Sequence, residues 1–340
     1  MNFRIYKVIF IIFLQLILLE GLLEYRAYRR GWSSLLFGDT LQEEKVDNKK
    51  GEIKYGPNPQ FLFRSEIITP ERKRGVFRIW IASSSMGVHG SLPPDKIFPN
   101  LIEQNLEKLG IPAEIINASK GGKPIKGSAK DLDQLGPIWQ PDIAILYNMS
   151  NDVNQIARRM LSANSSEVNE SHLPTESLSI LPSFIKKTFE NTTIYAHLKE
   201  HITSKVAQCG ILADNIGQKL EIEFRMRVKA FVKTCRVQNI QPVLCTFATS
   251  HNRKLLPWPP ELLNWLFRWC MYLSSSGWVD AFEKFNKIVE KIGKEENIHV
   301  VDINSVMTGN PDYFIDFVHF TPIGHEMLAK QISSSIYEEF

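Results

Sequence analysis

The chain lacks the common signatures of metal and nucleotide chemistry. Its 340 residues hold no His-Glu-x-x-His pair, no P-loop and no Gly-x-Gly-x-x-Gly turn, so zincin-type hydrolysis, P-loop nucleotide chemistry and dinucleotide binding have no support. Cysteine is scarce. Cys209, Cys235, Cys245 and Cys270 show no C-x-x-C spacing and no partnered histidine cluster. They read as buried thiols, with one or two disulfides left open, because pairing cannot be read from spacing. A surplus of charge is also missing: 40 Lys and Arg against 37 Asp and Glu leave a net +3. With no basic stripe interleaved with aromatics, nothing argues for nucleic acid as a partner. No internal repeat is visible. The balance of 44% hydrophobic and 23% charged residues fits one large α/β domain with insertions, or two small domains.

Long apolar runs are absent except at the start. Val8 to Leu19 is broken only by Gln15. With Ile5, Tyr6 and Gly21 to Leu23 the run reaches about 19 residues, enough for one membrane span. Arg4 and Lys7 precede it, and Glu20-Gly21-Leu22-Leu23-Glu24 is a poor cleavage site. Residues 1–30 therefore read as an uncleaved signal anchor in preference to a cleaved signal peptide. Arg26, Arg29 and Arg30 follow the run, so the positive-inside count does not choose an orientation. Residues 31–75 are polar, with Pro57, Pro59 and Pro70, and read as a stalk.

From residue 76 the pattern becomes that of a parallel α/β sheet. Strands are predicted at 77–82, 113–118, 141–148, 241–248 and 298–303. Helices are predicted near 94–109, 127–136, 203–237, 279–296 and 322–337. The first helix shows the period in Ile97, Phe98, Leu101, Ile102, Leu106 and Leu109. Insertions are expected at about 153–237 and 251–278. The first is polar from Ser162 to Ser177; the second holds Trp258, Trp265, Phe267, Trp269, Tyr272 and Trp278. That aromatic stretch reads as a helical hairpin packed on the core, or alternatively as a lid or lipid-facing surface.

Four short segments carry chemistry. Asp316-Phe317-Val318-His319 puts a carboxylate three residues before an imidazole, just ahead of a helix start at Thr321-Pro322. An Asp bracing a His suits a general base, since the Asp fixes the ring tautomer and stabilises the imidazolium. Ser83-Ser84-Ser85 follows the first strand directly, where open α/β sheets bind ligands. Gly121-Gly122 follows the second strand and Asn151-Asp152 the third. Singly, each is ordinary turn or cap chemistry. Together, right-handed crossovers place all four on one rim of the sheet. His325 and the remaining histidines have no partner pattern and read as structural or exposed.

These segments, in this order, resemble the SGNH (GDSL-type) hydrolase superfamily. Ile81 to Met86 stands where that family has Gly-Asp-Ser, and Ile116 to Gly122 where it has Asn-x-Gly-x-x-Gly. Tyr147 to Asp152 stands for Gly-x-Asn-Asp, and Asp316 to His319 for Asp-x-x-His. The resemblance implies a three-layer α/β/α sandwich around a five-stranded parallel sheet. It also implies Ser85 as nucleophile, His319 as base and Asp316 as its orienting partner. The oxyanion hole would comprise the backbone N–H groups of Ser85 and Gly122 and the amide of Asn151, with Met149 and Met86 lining the substrate. Ser83, Ser84, Met149 and Ser119 depart from the family pattern, and Ser84 adjoins Ser85, so the nucleophile's register stays open between the two.

The resemblance implies a serine-dependent acyl-ester hydrolase without cofactor or metal, acting on an ester-bearing envelope glycan or lipid. Its expected location is a single-pass membrane anchor with the catalytic domain outside the cytoplasm. The same residues suit an O-acyltransferase on a surface polysaccharide, a lipase with an aromatic lid, or a non-catalytic assembly protein that keeps the fold.

Overall fold

The computed structural model describes residues 14–22, 25, 71–88, 92–164 (backbone only for 159–164), 212–256, 258, 266, 270 and 273–340. Most of the expected anchor and stalk, most of the expected insertion at 153–237 and part of that at 251–278 lie outside these residues. No helix among the described residues is long and apolar enough to cross a membrane.

Five strands form one sheet: β1 (Phe77–Ser83), β2 (Ala113–Asn117), β3 (Ile143–Tyr147), β4 (Gln241–Cys245) and β5 (His299–Val301). The order is β2-β1-β3-β4-β5 and every pairing is parallel. Parallel strands are covered on both faces, so they read as continuous apolar runs. Thus β2 and β3 are buried along their whole length.

Seven helices flank the sheet among the described residues: α1 (Phe98–Lys108), α2 (Ile125–Trp139), α3 (Ser150–Asn164), α4 (Gly217–Val237), α5 (Ser275–Glu296), the short α6 (Ile303–Met307) and α7 (Pro322–Glu339). The chain steps from β1 out to β2, then returns past β1 to β3 and continues outward. With right-handed crossovers this reversal sends the helices to opposite faces. α1 and α7 pack together on one face, while α4 packs against α2 and α5 on the other. The reversal also opens a crevice between the carboxyl ends of β1 and β3, the place where open sheets hold their ligands. The sandwich expected from the sequence is the observed architecture.

Boundaries moved for local reasons. The expected strand 241–248 ends at Cys245 because its partners change. Thr246 N still donates to Val301 O at 3.1 Å, but Phe247 N donates to the side chain of Asn286 at 2.7 Å. The expected helix at 127–136 runs from Ile125 to Trp139 despite Pro137, which sits in its last turn ahead of a left-handed Gln140 at φ 46°. Residues 150–164 are helical where the insertion was expected to begin. Of the expected aromatic insertion, Trp258 and Trp278 are buried, the latter within α5; Trp265, Phe267, Trp269 and Tyr272 lie outside the described residues.

Candidate active site

The Ser85 turn follows from β1. Ser84 leaves the extended conformation, and Ser85–Gly87 forms a single 3-10 turn. Gly87 N donates to Ser84 O at 3.2 Å and Val88 N to Ser85 O at 3.1 Å. This turn gives neighbouring serines opposite fates. Ser84 is wholly buried, and its hydroxyl points at Met86 Sδ, 3.3 Å away. Ser85 is half-buried, and its Oγ lies 2.7 Å from His319 Nε2. Of the two serines, Ser85 faces the imidazole. Gly87 is required by close approach: a Cβ there would sit 2.1 Å from Ser119 Oγ.

The Asp316–His319 loop is folded around its own carboxylate. Asp316 Oδ1 accepts from the backbone N–H groups of Val318 and His319, both at 2.8 Å, and Oδ2 lies 2.6 Å from His319 Nδ1. An ionised Asp accepts only, so Nδ1 carries the proton and Nε2 is left to accept from Ser85. Burial pushes the Asp316 carboxyl up. The hydrogen bond and charge of His319, with the two backbone amides, outweigh that and leave it below the usual carboxylate range. The loop is held at both ends. Ile315 N donates to His319 O at 2.8 Å, and Thr321 caps α7 through Gly324 N at 3.2 Å. Ser250, after β4, donates its N–H to Phe317 O at 3.1 Å.

The two remaining loops are stitched to this turn and to each other. Asn117 donates its amide to Gly87 O at 2.9 Å and accepts from Ser119 N at 3.2 Å. Asn117 thereby ties the Ser85 turn to the loop after β2. Gly122 sits in that loop at φ +72°, a left-handed conformation in which glycine avoids steric strain. The next carbonyl, that of Lys123, accepts from Asn148 Nδ2 at 2.8 Å and Asn151 Nδ2 at 3.2 Å. One of the two N–H groups of Asn151 is thus committed to the loop that carries Gly122, which leaves the other for a ligand. Lys123 closes the loop from below: its ammonium donates to Ala118 O at 3.2 Å and pairs with Asp131. Burial lowers its pKa from the ordinary lysine value.

Two expected site residues must be corrected. Met149 and Met86 are 1% and 0% exposed and belong to the hydrophobic core. Both follow directly from central strands and turn inward, so neither offers surface to a substrate. Met86 still touches the site from within, its Sδ 3.7 Å from Ser85 Oγ. His325 is likewise a core residue, accepting from Phe98 N at 3.2 Å. Cys235, Cys245 and Cys270 are buried, and Cys235 and Cys245 are unbridged. Among the described residues no group of three His, Cys, Asp or Glu side chains could hold a metal ion. A hollow of about 500 Å³ lined by Arg72, Gln140, Gln238 and Asn239 opens on the opposite, amino-terminal rim of the sheet and contains none of these groups.

The structure reveals roles the sequence reading did not assign. Asn117, Asn148 and Asp152 lay within the quoted segments but looked like ordinary loop residues. Arg227 carried no local signal, since it is one of several cations on a mixed-face helix.

In sequence, no curated protein matches this chain. Among solved structures, the chain is similar to the acetyl xylan esterase AlAXEase at 14% identity, covering 76% of this chain and 100% of that one, with a TM-score of 0.46. It is similar to the lipase/acylhydrolase from Enterococcus faecalis at 14% identity, covering 77% and 96%, with a TM-score of 0.46. It is also similar to the psychrotrophic esterase EstA from Pseudoalteromonas sp. at 14% identity, covering 77% and 97%, with a TM-score of 0.42. The family profile of the GDSL-like lipase/acylhydrolases matches residues 82–332, from the end of β1 through most of α7, and the chain belongs to that family of serine ester hydrolases.

Proposed function

We propose that the protein cleaves an acyl ester on an envelope glycan or lipid through an acyl-enzyme on Ser85. The observation that carries this reading is the continuous line from Asp316 through His319 to Ser85, with contacts of 2.6 and 2.7 Å. Ser85 Oγ attacks the ester carbonyl as His319 Nε2 takes its proton. Asp316 stabilises the imidazolium that results. The backbone N–H of Ser85, that of Gly122 and the uncommitted N–H of Asn151 receive the oxyanion. His319 then gives its proton to the leaving alcohol. Water, deprotonated by the same ring, attacks the acyl carbonyl and releases the acid.

The proposed setting is the outer side of a membrane, with the chain tethered by residues 1–30. The apolar run of the first 23 residues supports that setting. A membrane-tethered enzyme would meet glycan and lipid esters more often than small soluble ones.

The test uses the full-length chain. A fluorophosphonate probe should label the wild type and leave Ser85→Ala unlabelled, and 4-nitrophenyl acetate should be hydrolysed only by the wild type. A folded wild type that does neither would support an assembly protein instead. Preferential transfer of the acyl group to an added sugar hydroxyl over water would reassign the protein as an O-acyltransferase. Fractionation of cells expressing the chain with and without residues 1–30 tests the tether; equal recovery of both in the soluble fraction would remove it.

A further inference from the structure

Helix α4, which follows the long insertion, sends a charge toward the site from outside every segment singled out in the sequence. Arg227 is only 7% exposed. Its Nη1 donates to Asp152 Oδ1 at 2.6 Å and to Gln155 Oε1 at 3.3 Å, and its Nη2 donates to Glu223. Asp152 is fully buried. Its second oxygen, Oδ2, accepts from the backbone N–H of Ile125 at 2.9 Å. One carboxylate is therefore held between a guanidinium on α4 and the amide that opens α2.

Both ends of this clamp adjoin the proposed oxyanion donors. Asn151 immediately precedes Asp152, and Ile125 lies three residues after Gly122. Between them, the carbonyl of Lys123 accepts from Asn148 and Asn151. The loop bearing Gly122 is thus bound by three hydrogen bonds, one to Asn148 after β3 and two to the start of α3, and only the one to Asp152 depends on an ionised side chain. A carboxylate accepts shorter and stronger hydrogen bonds than a neutral acid. An isolated buried carboxylate would take up a proton, and a nearby cation opposes this.

We propose that Arg227 is a positioning residue of the active site: by keeping Asp152 ionised against the Ile125 N–H, it fixes the Gly122 loop relative to Asn151. Its consequence for catalysis rests on the reading of Gly122 and Asn151 as oxyanion donors; its consequence for the loop does not. The charged and titratable groups facing Asp152 are Arg227 and Glu223, both on α4. From α2 it receives the Ile125 amide, and the neighbouring Gln155 on its own helix is neutral. A plain structural tie between α3 and α4 would affect stability alone. Positioning of the loop would affect turnover and loop protection in a chain that still folds.

The test compares Arg227→Met, Arg227→Lys and Asp152→Asn with the wild type, all as full-length chains whose folding is verified by thermal unfolding. Two measurements are made: hydrogen–deuterium exchange at the amides of 122–125, and kcat and KM on 4-nitrophenyl acetate. The Ile125 amide should exchange at least about tenfold faster in Arg227→Met and in Asp152→Asn. The value of kcat should fall about 10- to 100-fold, short of the loss of a whole oxyanion donor, with KM within about threefold. Arg227→Lys should retain more activity than Arg227→Met, since it keeps the charge. Wild-type exchange at Ile125 in a folded Arg227→Met chain would overturn the proposal, as would unchanged kcat in that chain. Should Arg227→Met fail to fold, Asp152→Asn, nearly isosteric with the native side chain, carries the same two readouts. Should the wild type prove inactive on every ester, the acyl-enzyme reading fails while the exchange data still judge the loop.

Discussion

His319 Nε2 lies 2.7 Å from Ser85 Oγ, although 234 residues separate them in the chain. The contact exists because two rim loops meet: the turn that ends β1 and the loop that precedes α7. Neither loop is held by this hydrogen bond alone. The turn is anchored by Asn117 on Gly87 O, and the other loop by Asp316 on two backbone amides. The pair is therefore preorganised before any substrate arrives, which is what makes such a contact effective in catalysis.

The two adjacent serines should separate cleanly. Ser85→Ala removes the group facing His319 and should abolish fluorophosphonate labelling. Ser84→Ala removes a buried hydroxyl that points at Met86 Sδ, 3.3 Å away. A sulfur acceptor makes a weak hydrogen bond, so labelling should persist within about tenfold of wild type. Mass spectrometry of the labelled peptide checks the assignment. Adduct on Ser84 would reverse the register.

Asp316→Asn should lower kcat by roughly 10²- to 10⁴-fold, the scale at which a wrong imidazole tautomer costs a serine hydrolase. An Asn at this position can present its carbonyl to the two backbone amides or to Nδ1, but not to all three as the carboxylate does. The substitution should also carry a pH signature. The carboxyl is held below its ordinary value in the folded protein, so its ionised form contributes stability above the unfolded value of about 3.9 and loses it as pH falls through the folded one. The stability gap between wild type and Asp316→Asn, measured by denaturant unfolding, should therefore be present at neutral pH and close in acid below about 4.

The sheet and the triad side chains were legible because they rest on local rules. Buried parallel strands are apolar along their length, and a carboxylate three residues before a His is compact enough to be seen. The supports of the site were not legible. Asn148 acts through a carbonyl 25 residues earlier and Arg227 through a carboxylate 75 residues earlier, and nothing in either residue's local sequence marks such a partner. Met86 and Met149 were misread for a related reason. Nearness to Ser85 and Asn151 in sequence says nothing about facing: Met86 shares the 3-10 turn with Ser85 and Met149 directly precedes α3, yet both side chains are buried in the core.

Two glycine substitutions should damage the site by different routes. At Gly122 a Cβ would meet nothing within 4 Å, but φ is +72°. Gly122→Ala should cost about 1 kcal/mol of backbone strain and reduce kcat by shifting its own N–H. At Gly87 the backbone is unremarkable, but a Cβ would lie 2.1 Å from Ser119 Oγ and 2.7 Å from Ser119 Cβ. Gly87→Ala should push the nucleophile turn away from the β2 loop and lower kcat. Adding Ser119→Gly should restore part of the loss, because it removes both clashing atoms. Absence of any rescue in the folded double variant would show that the turn's position is not set by this contact.

The acid limb of the activity profile should involve two groups. His319 must be unprotonated to accept from Ser85, and Asp152 must be ionised to hold Ile125. Burial pushes the Asp152 carboxyl up to about 6, against the pull of Arg227 and the Ile125 amide. As pH falls through that region Asp152 takes up a proton, so log kcat/KM should fall more steeply with falling pH in the wild type than in Asp152→Asn. Stability should move the other way for this residue. A carboxyl raised in the folded state binds its proton more readily there than in the unfolded chain, so its contribution to stability grows as pH falls from about 6 to about 4. Relative to Asp152→Asn, the wild type should thus gain thermal stability across the window in which it loses activity. Equal slopes in the two proteins would separate Asp152 from the chemistry. A wild type that lost activity and relative stability together would point to unfolding in place of a loosened loop.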